Sequence, residues 1–330
     1  LATFLDYYGD YNLRSWALAP WTNYNALNGE TRPVAGDVNG DGRSECILGL
    51  GTYPAAGGWV AVLRDVGTGH ALLSWLRIPV SAYTSSDGQT WPACGDTDGD
   101  GRDEIFVGQG RYPSTANSGW IYRFDDELAS FAALPSLRVP WTQYNSACGE
   151  SRPVCADLDG DGSSELVVGL GTYTAAGGYY AIFGSGAMPF QEFRRWDWSA
   201  YNAANGELWI GAGDVDADGR DELVIGEGRY AAGGWIQVVD DRLAGFADLG
   251  WRRIPWVAYI NLVGETRPAA GNLDADPAAE IVVGLGPYAV AGGWMAILGD
   301  SGSGYAVVAW RRLPLSPYNS VNGETRPSVR

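Results

Sequence analysis

Four nine-residue stretches of this chain carry oxygen-bearing side chains at alternating positions. The first reads Asp37-Val-Asn39-Gly-Asp41-Gly-Arg43-Ser-Glu45. The same register returns as Asp96, Asp98, Asp100, Arg102 and Glu104, and as Asp157, Asp159, Asp161, Ser163 and Glu165. It returns again as Asp214, Asp216, Asp218, Arg220 and Glu222. Side-chain oxygens at positions 1, 3, 5 and 9, with the main-chain carbonyl of position 7, can converge on one hard cation. Calcium suits such a cage because it tolerates flexible geometry, whereas magnesium demands octahedral order. Glycine at position 6 (Gly42, Gly101, Gly162, Gly219) lets the backbone turn where another residue would be strained. A fifth copy departs: Asn272, Asp274, Asp276, Ala278 and Glu280 keep the spacing, but Pro277 takes the glycine position. Proline cannot adopt positive φ, which puts the fifth cage in question. Asx-rich hairpin turns are common, yet four near-ideal copies in register favour a metal. A cage saturated by protein oxygens leaves no open position for substrate, so the expected role of Ca²⁺ is structural.

The elements that must hold these loops are strands. Apolar residues begin directly after position 9, so the loops join strand to strand rather than helix to helix. A tyrosine recurs at Tyr24, Tyr83, Tyr144, Tyr201, Tyr259 and Tyr318, 57 to 61 residues apart. Around it lies a phrase such as PWTNYNALNGETRP (20–33) or PWTQYNSACGESRP (140–153). Each module then offers four apolar runs of four to nine residues bounded by turn residues, with no ten-residue helical period. Radial repetition of a four-stranded unit protects sheet edges. The predicted fold is therefore all-β, a single β-propeller domain over 1–330, with modules at about 33–80, 92–140, 153–198, 210–256 and 268–315. Leu13-Arg-Ser-Trp16 parallels Leu73-Ser-Trp75, and Arg326–Arg330 resembles the start of a first strand. Residues 1–20 and 316–330 are thus expected to share a sixth blade that lacks its second strand and acidic loop. Five or seven blades are the alternatives.

Composition narrows the function. The net charge of −17 and the absence of basic clusters argue against a nucleic-acid partner. No run of eighteen apolar residues encodes a transmembrane helix. With no initiator Met and no signal-type apolar segment, Leu1 reads as the start of a processed chain or a fragment. Cys46, Cys94, Cys148 and Cys155 do not recur in every module, so they are not read as a disulfide framework, and Cys94 and Cys155, at equivalent places two residues before an acidic loop, are read as small buried residues in place of Ala35.

The phrases GDVNGDGRSECILGLG (36–51), GDTDGDGRDEIFVGQG (95–110), ADLDGDGSSELVVGLG (156–171) and GDVDADGRDELVIGEG (213–228) resemble the FG-GAP repeats of integrin α-chain propellers. They also resemble the VCBS repeats of bacterial surface proteins. The resemblance implies a propeller whose loops between the first two strands bind calcium on one face, in an extracellular setting. Glu at position 9 where the family has Asp, and the repeated tyrosine phrase, depart from that pattern. Fold alone does not fix a ligand.

If the acidic loops share one face, the tyrosine phrase and the Gly-rich loop between strands two and three share the other. Trp21, Tyr24, Asn25, Glu30, Arg32 and Tyr53 of module one suit sugars or peptides, since aromatic faces stack on pyranoses and polar groups read hydroxyls. Tyr144, Arg152, Tyr201 and Arg267 are their counterparts. Trp91 and Trp209 stand where other modules have arginine, and those two modules carry Arg111 and Arg229 instead of Thr52 and Thr172. A cation–π pair of Arg111 with Trp91 is the corresponding expectation. Blade-to-blade locking explains the same recurrence, and the two readings stay open. His70, the single histidine, is read as an exposed turn residue. The leading function is an extracellular, calcium-stabilised binding or adhesion protein with carbohydrate as ligand class, multivalent by repetition. The alternatives are a self-assembling surface or filament component, associating through the termini, and a polysaccharide lyase using a pair such as Tyr24 and Arg32.

Overall fold

The computed structural model describes every residue except 6–11, 55, 68 and 330. In the first blade, Thr31–Gly36, Glu45–Leu50, Trp59–Asp65 and His70–Arg77 pair antiparallel in that order. Four further sheets repeat the arrangement, giving five complete four-stranded blades in a ring. The second strands (Glu45–Leu50, Glu104–Gln109, Glu165–Leu170, Glu222–Glu227, Glu280–Leu285) are buried along their whole length. Each has a strand on either side, and those of the middle three blades have a neighbouring blade on each face. This is why their sequences are runs of Val, Ile and Leu without alternation. Pro33, Pro92, Pro153 and Pro268 sit in the first strands, the channel-lining edges of their sheets, where a missing N–H is tolerated.

Blade faces close on one another through β-branched and aromatic side chains. Val224, Ile236 and Val238 of the fourth blade meet Ile281, Val283 and Ala296 of the fifth in one buried cluster. The four cysteines form no disulfide. Cys94 and Cys155 lie against Gly36 and Gly95 of the preceding blades, where a Cβ would approach within 2.5 and 2.4 Å. Packing against glycine accounts for the small side chain there.

The termini occupy a sixth radial position in two separate pieces. Ala2–Leu5 pairs with Asn12–Trp16, with Ala2 opposite Trp16 as Ala61 is opposite Trp75 in the first blade. The C-terminal segment lies at the channel. Thr325 N–H donates to Leu285 O (2.9 Å), while its hydroxyl bonds the Leu285 N–H and the Trp294 carbonyl. Thr90 holds the first blade through its hydroxyl in the same way, at the Leu50 N–H and the Trp59 carbonyl. On the far side, Arg326 pairs with Glu30 (2.7 Å) and the Ala35 N–H donates to the Ser328 hydroxyl (3.0 Å). These contacts link the fifth blade to the first at the channel, and among the described residues no single sheet spans the sixth position. Of the terminal segments predicted to form it, residues 6–11 and 330 lie outside the described residues.

The tyrosine phrases contain short helices (Thr22–Leu27, Ser81–Thr84, Thr142–Ala147, Ser199–Ala204, Val257–Leu262, Ser316–Asn319) that the sequence reading does not contain. Runs of four to six residues are too short to display a helical period. No helix among the described residues is long and apolar enough to cross a membrane.

Candidate metal loops and the opposite face

The acidic loops fold around their first aspartate. Asp37 Oδ1 accepts the Gly40 and Asp41 N–H groups (2.8 and 3.2 Å), and Oδ2 accepts the Gly42 N–H (2.8 Å). Asp96 and Asp157 repeat this set. The position-6 glycines have φ of +79° to +88°, the left-handed region that favours glycine. Position 4 is also left-handed, and there the fourth loop carries Ala217 at φ +64° instead of glycine.

The position-9 glutamates form the floor. Glu45, Glu104, Glu165 and Glu222 are 0–2 % exposed. One oxygen accepts the N–H of position 2, as Glu104 does from Thr97 (2.9 Å), Glu165 from Leu158 (3.1 Å) and Glu222 from Val215 (2.8 Å). Glu45 Oε2, Glu104 Oε1 and Glu222 Oε1 are buried without a partner. Burial pushes Glu45, Glu104 and Glu165 up to about 7 and Glu222 up to about 8, with the facing aspartates adding to the rise. Carboxylate oxygens of Asp96, Asp98 and Glu104 approach within 4.8 Å of one another, as do those of Asp157, Asp159 and Glu165, and of Asp214, Asp216 and Asp218. Orphaned, desolvated oxygens converging with like charges are the donor set a hard cation neutralises, and their number and flexibility suit Ca²⁺.

Two members of the fourth cluster come from outside the loop motif. Asp240 and Asp241, just after the third strand, join Asp216, Asp218 and Glu222. Antiparallel pairing of the second and third strands brings them there, since Leu223 is opposite Val239. The signal was present as Asp125-Asp126 and Asp240-Asp241 at equivalent strand ends. In the fifth copy, the Asn272 side-chain amide donates to the Asp276 carbonyl, a contact aspartate could not make. Glu280 is still buried and accepts the Leu273 N–H (2.6 Å).

On the opposite face, the Gly-rich loop of each blade docks on the following tyrosine phrase, as in the Gly58 N–H to Gly88 O bond (2.7 Å). The conserved geometry of the phrase is internal. Tyr24, Tyr83, Tyr144, Tyr201 and Tyr259 are fully buried. The Tyr144 hydroxyl donates to the Glu150 carbonyl (2.5 Å) and accepts the Gly171 N–H (2.7 Å). Tyr24 joins Glu30 to Gly51, and Tyr201 joins Glu207 to Gly228, in the same fashion. Their burial leaves them no surface to offer a ligand. Burial also pushes Tyr24 up to about 12, the wrong direction for a tyrosinate base beside Arg32. Asn25 donates to the Ala19 carbonyl (2.6 Å) and fixes the turn.

Arg32, Trp91, Arg152, Trp209, Arg267 and Arg326 come together at the channel, one from each radial position. Arg32 lies 3.9 Å from the Trp91 ring centre and Arg152 lies 4.0 Å from that of Trp209. The two indoles meet edge to face at 5.1 Å. Each arginine also bridges consecutive phrases: Arg32 bonds Glu30 and Gln89, Arg152 bonds Glu150 and Glu207, and Arg267 bonds Glu265 and Glu324. The expected pairing of Arg111 with Trp91 is therefore corrected: radial symmetry gives Trp91 the channel arginines. Arg111 and Arg229 are exposed, and Arg229 bonds the Leu262 carbonyl (3.2 Å). His70 is also corrected from an exposed turn residue to a half-buried strand residue opposite Asp65, its imidazole pKa lowered by burial.

Aromatics that remain half-exposed lie farther out. Trp59, Trp120, Tyr179, Trp235 and Trp294 begin the third strands. Each has the guanidinium of a fourth-strand arginine over its ring: Arg77, Arg138, Arg195, Arg253 and Arg312, at 5.0–5.5 Å. Each arginine Nε donates to a Gly-rich-loop carbonyl, such as Arg253 to Gly233 (2.9 Å). Trp21 and Tyr53, half-buried and 4.9 Å apart, adjoin this row in the first blade.

Residues 96–168, from the second acidic loop to the second strand of the third blade, match the FG-GAP-like repeat family. The match is consistent with an FG-GAP-like β-propeller repeat. No match is found among curated proteins. Similar solved structures include a Bacillus licheniformis rhamnogalacturonan lyase PL11, 14 % identical over 68 % of this chain and 47 % of that one, with a TM-score of 0.41. The rhamnogalacturonan lyase YesW is 17 % identical over 93 % of this chain and 60 % of its own, with a TM-score of 0.40. The Dos1 propeller is 11 % identical over 82 % and 55 %, with a TM-score of 0.45. This chain thus spans about half of each of these proteins, and the likeness assigns no activity to it.

Proposed function

We propose that the protein is an extracellular, calcium-stapled binding propeller whose ligands are carbohydrates. The observation that carries this reading is the fivefold notch of a half-exposed aromatic ring with an arginine stacked on it, one per complete blade. An indole or phenol face buries the apolar side of a pyranose, and the guanidinium edge donates to hydroxyl or carboxylate oxygens. Single contacts of this kind are weak. Five on one rigid ring raise avidity by orders of magnitude toward a polymer or a glycan-coated surface. The calcium is structural: it neutralises the buried glutamates and fixes the hairpins that space the blades. An extracellular setting supplies the millimolar calcium that such open loops need.

The test is a glycan array probed with the purified chain in millimolar calcium, with a chelator control and with Trp235→Ala beside the parent. Calcium-dependent binding to a defined sugar, weakened in the variant, supports the proposal. A blank array from folded, calcium-loaded protein would remove carbohydrate as the ligand class.

A further inference from the structure

We propose that Arg242 of the fourth blade is a tethered cation that competes with calcium for the third acidic loop, making that loop the weakest of the four and the last to fill. This role rests on the calcium reading of the loops given above. A contact repeated around the ring sets it up. In the second to fifth blades, the turn after the third strand docks on the acidic loop of the preceding blade, where one N–H donates to the position-2 carbonyl. Glu127 donates to Val38 (2.9 Å), Gly186 to Thr97 (2.7 Å), Arg242 to Leu158 (3.0 Å) and Ser301 to Val215 (3.0 Å). The backbone contact is the same four times, but the side chain it delivers is not. The first loop receives a carboxylate, the second no side chain, the third a guanidinium and the fourth a hydroxyl.

The guanidinium lies against the cage itself. Arg242 Nη1 is 3.8 Å from Asp159 Oδ2 and 3.7 Å from Glu165 Oε1, at loop positions 3 and 9. A calcium ion held by the same oxygens at about 2.4 Å would lie no more than about 6 Å from that nitrogen, close enough for strong repulsion between the two cations. Among the described residues, Glu165 is the one position-9 glutamate in an ion pair. Arginines touch the second and fourth loops differently. Arg102 and Arg220 come from position 7 of their own loops and pair with Asp100 and Asp218 at position 5. Each also faces a carboxylate of the adjacent turn, Asp126 (3.7 Å) and Asp241 (3.4 Å), which offsets its charge. Arg64, beside the first loop, is offset in the same way by Glu127. The third blade has Gly184-Ser185 where the second and fourth have Asp125-Asp126 and Asp240-Asp241. Arg242 therefore keeps its charge for the cage, and its other side-chain bond among the described residues is to the neutral Gln191 amide oxygen. Without metal the guanidinium neutralises part of a loop that carries four carboxylates. Calcium must push it aside to enter, and the bond to Gln191 keeps the displaced side chain at the rim.

The experiment measures calcium binding to the intact chain by equilibrium dialysis, from micromolar to millimolar free calcium. It compares the parent with Arg242→Gln, with Arg242→Lys, and with Arg242→Gln combined with Asp159→Asn. In the parent, three of the four aspartate-led loops should fill first, and the last at a free calcium at least tenfold higher, still within the millimolar range. Arg242→Gln should lose this weak step, whereas Arg242→Lys, which keeps the charge, should keep it. Adding Asp159→Asn should weaken the recovered site at least tenfold, which assigns it to the third loop. In chelator, Arg242→Gln should melt below the parent because its cage has lost a neutralising cation, and in saturating calcium that deficit should vanish. Four equivalent sites in the parent, a weak step unchanged in Arg242→Gln, or a recovered site indifferent to Asp159→Asn would overturn the proposal and leave the calcium reading standing. Folded parent that binds no calcium would sink both.

Discussion

Replacing Glu222 by glutamine should change stability in opposite directions with and without calcium. The Glu222 carboxyl is fully buried, and one oxygen accepts the Val215 N–H while the other has no partner. Burial, then Asp216, Asp214 and Asp218, raise it from 4.5 in the unfolded chain to about 8 in the metal-free fold. A carboxyl raised in the fold loses stability as pH climbs from the unfolded value to the folded one. At about pH 7.5 the loss spans roughly three units, or about 4 kcal/mol as an upper bound, because loop relaxation lowers it. Glutamine carries no such cost and keeps an acceptor for Val215. In chelator at about pH 7.5, Glu222→Gln should therefore melt above the parent, and the two should converge near pH 4.5. In millimolar calcium the order should invert, since the variant lacks one charged ligand. Melting curves at the two pH values, each with calcium and with chelator, decide the matter. The same order in both media would refute the reasoning.

Other consequences are local. Ala217→Gly relieves a left-handed alanine where the first three loops have Gly40, Gly99 and Gly160, and should stabilise by about 1 kcal/mol in thermal melts. Tyr201→Phe removes a hydroxyl that joins the half-buried Glu207 O to the buried Gly228 N and should cost about 1–3 kcal/mol by denaturant titration. Arg152→Ala leaves Glu150 and Glu207 facing each other in the channel and should cost about 3–5 kcal/mol, measured in the same way. The double change of Trp235→Ala with Trp294→Ala should reduce binding to a glycan polymer at least tenfold while leaving the calcium-dependent melting shift intact.

The acidic loops and strands were legible because their signals are local. Glycine at position 6 dictates a backbone angle, and uninterrupted Val/Ile/Leu runs dictate burial on both faces. The tyrosine phrase was legible as a repeat but not in its role. A buried pin and a ligand contact recur with the same symmetry, and only the hydroxyl's bonds to Glu30 and Gly51 separate them. The exchange of Arg32 for Trp91 was visible, but its meaning was not. Residues 59 apart in sequence meet because inner strands converge on an axis, and no local pattern records that convergence. Asp240 and Asp241 were missed for a similar reason, since strand pairing carries them to a loop eighteen or more residues upstream.

The most direct test of the calcium-stapled propeller is to count tightly bound calcium in the native chain by elemental analysis after exhaustive dialysis against metal-free buffer and reloading. The account predicts about four ions per chain, matching the four loops with aspartate at position 1 and glycine at position 6, with a large fall in melting temperature on chelation. Fewer than one ion per chain, or a melting temperature indifferent to chelator, would contradict it.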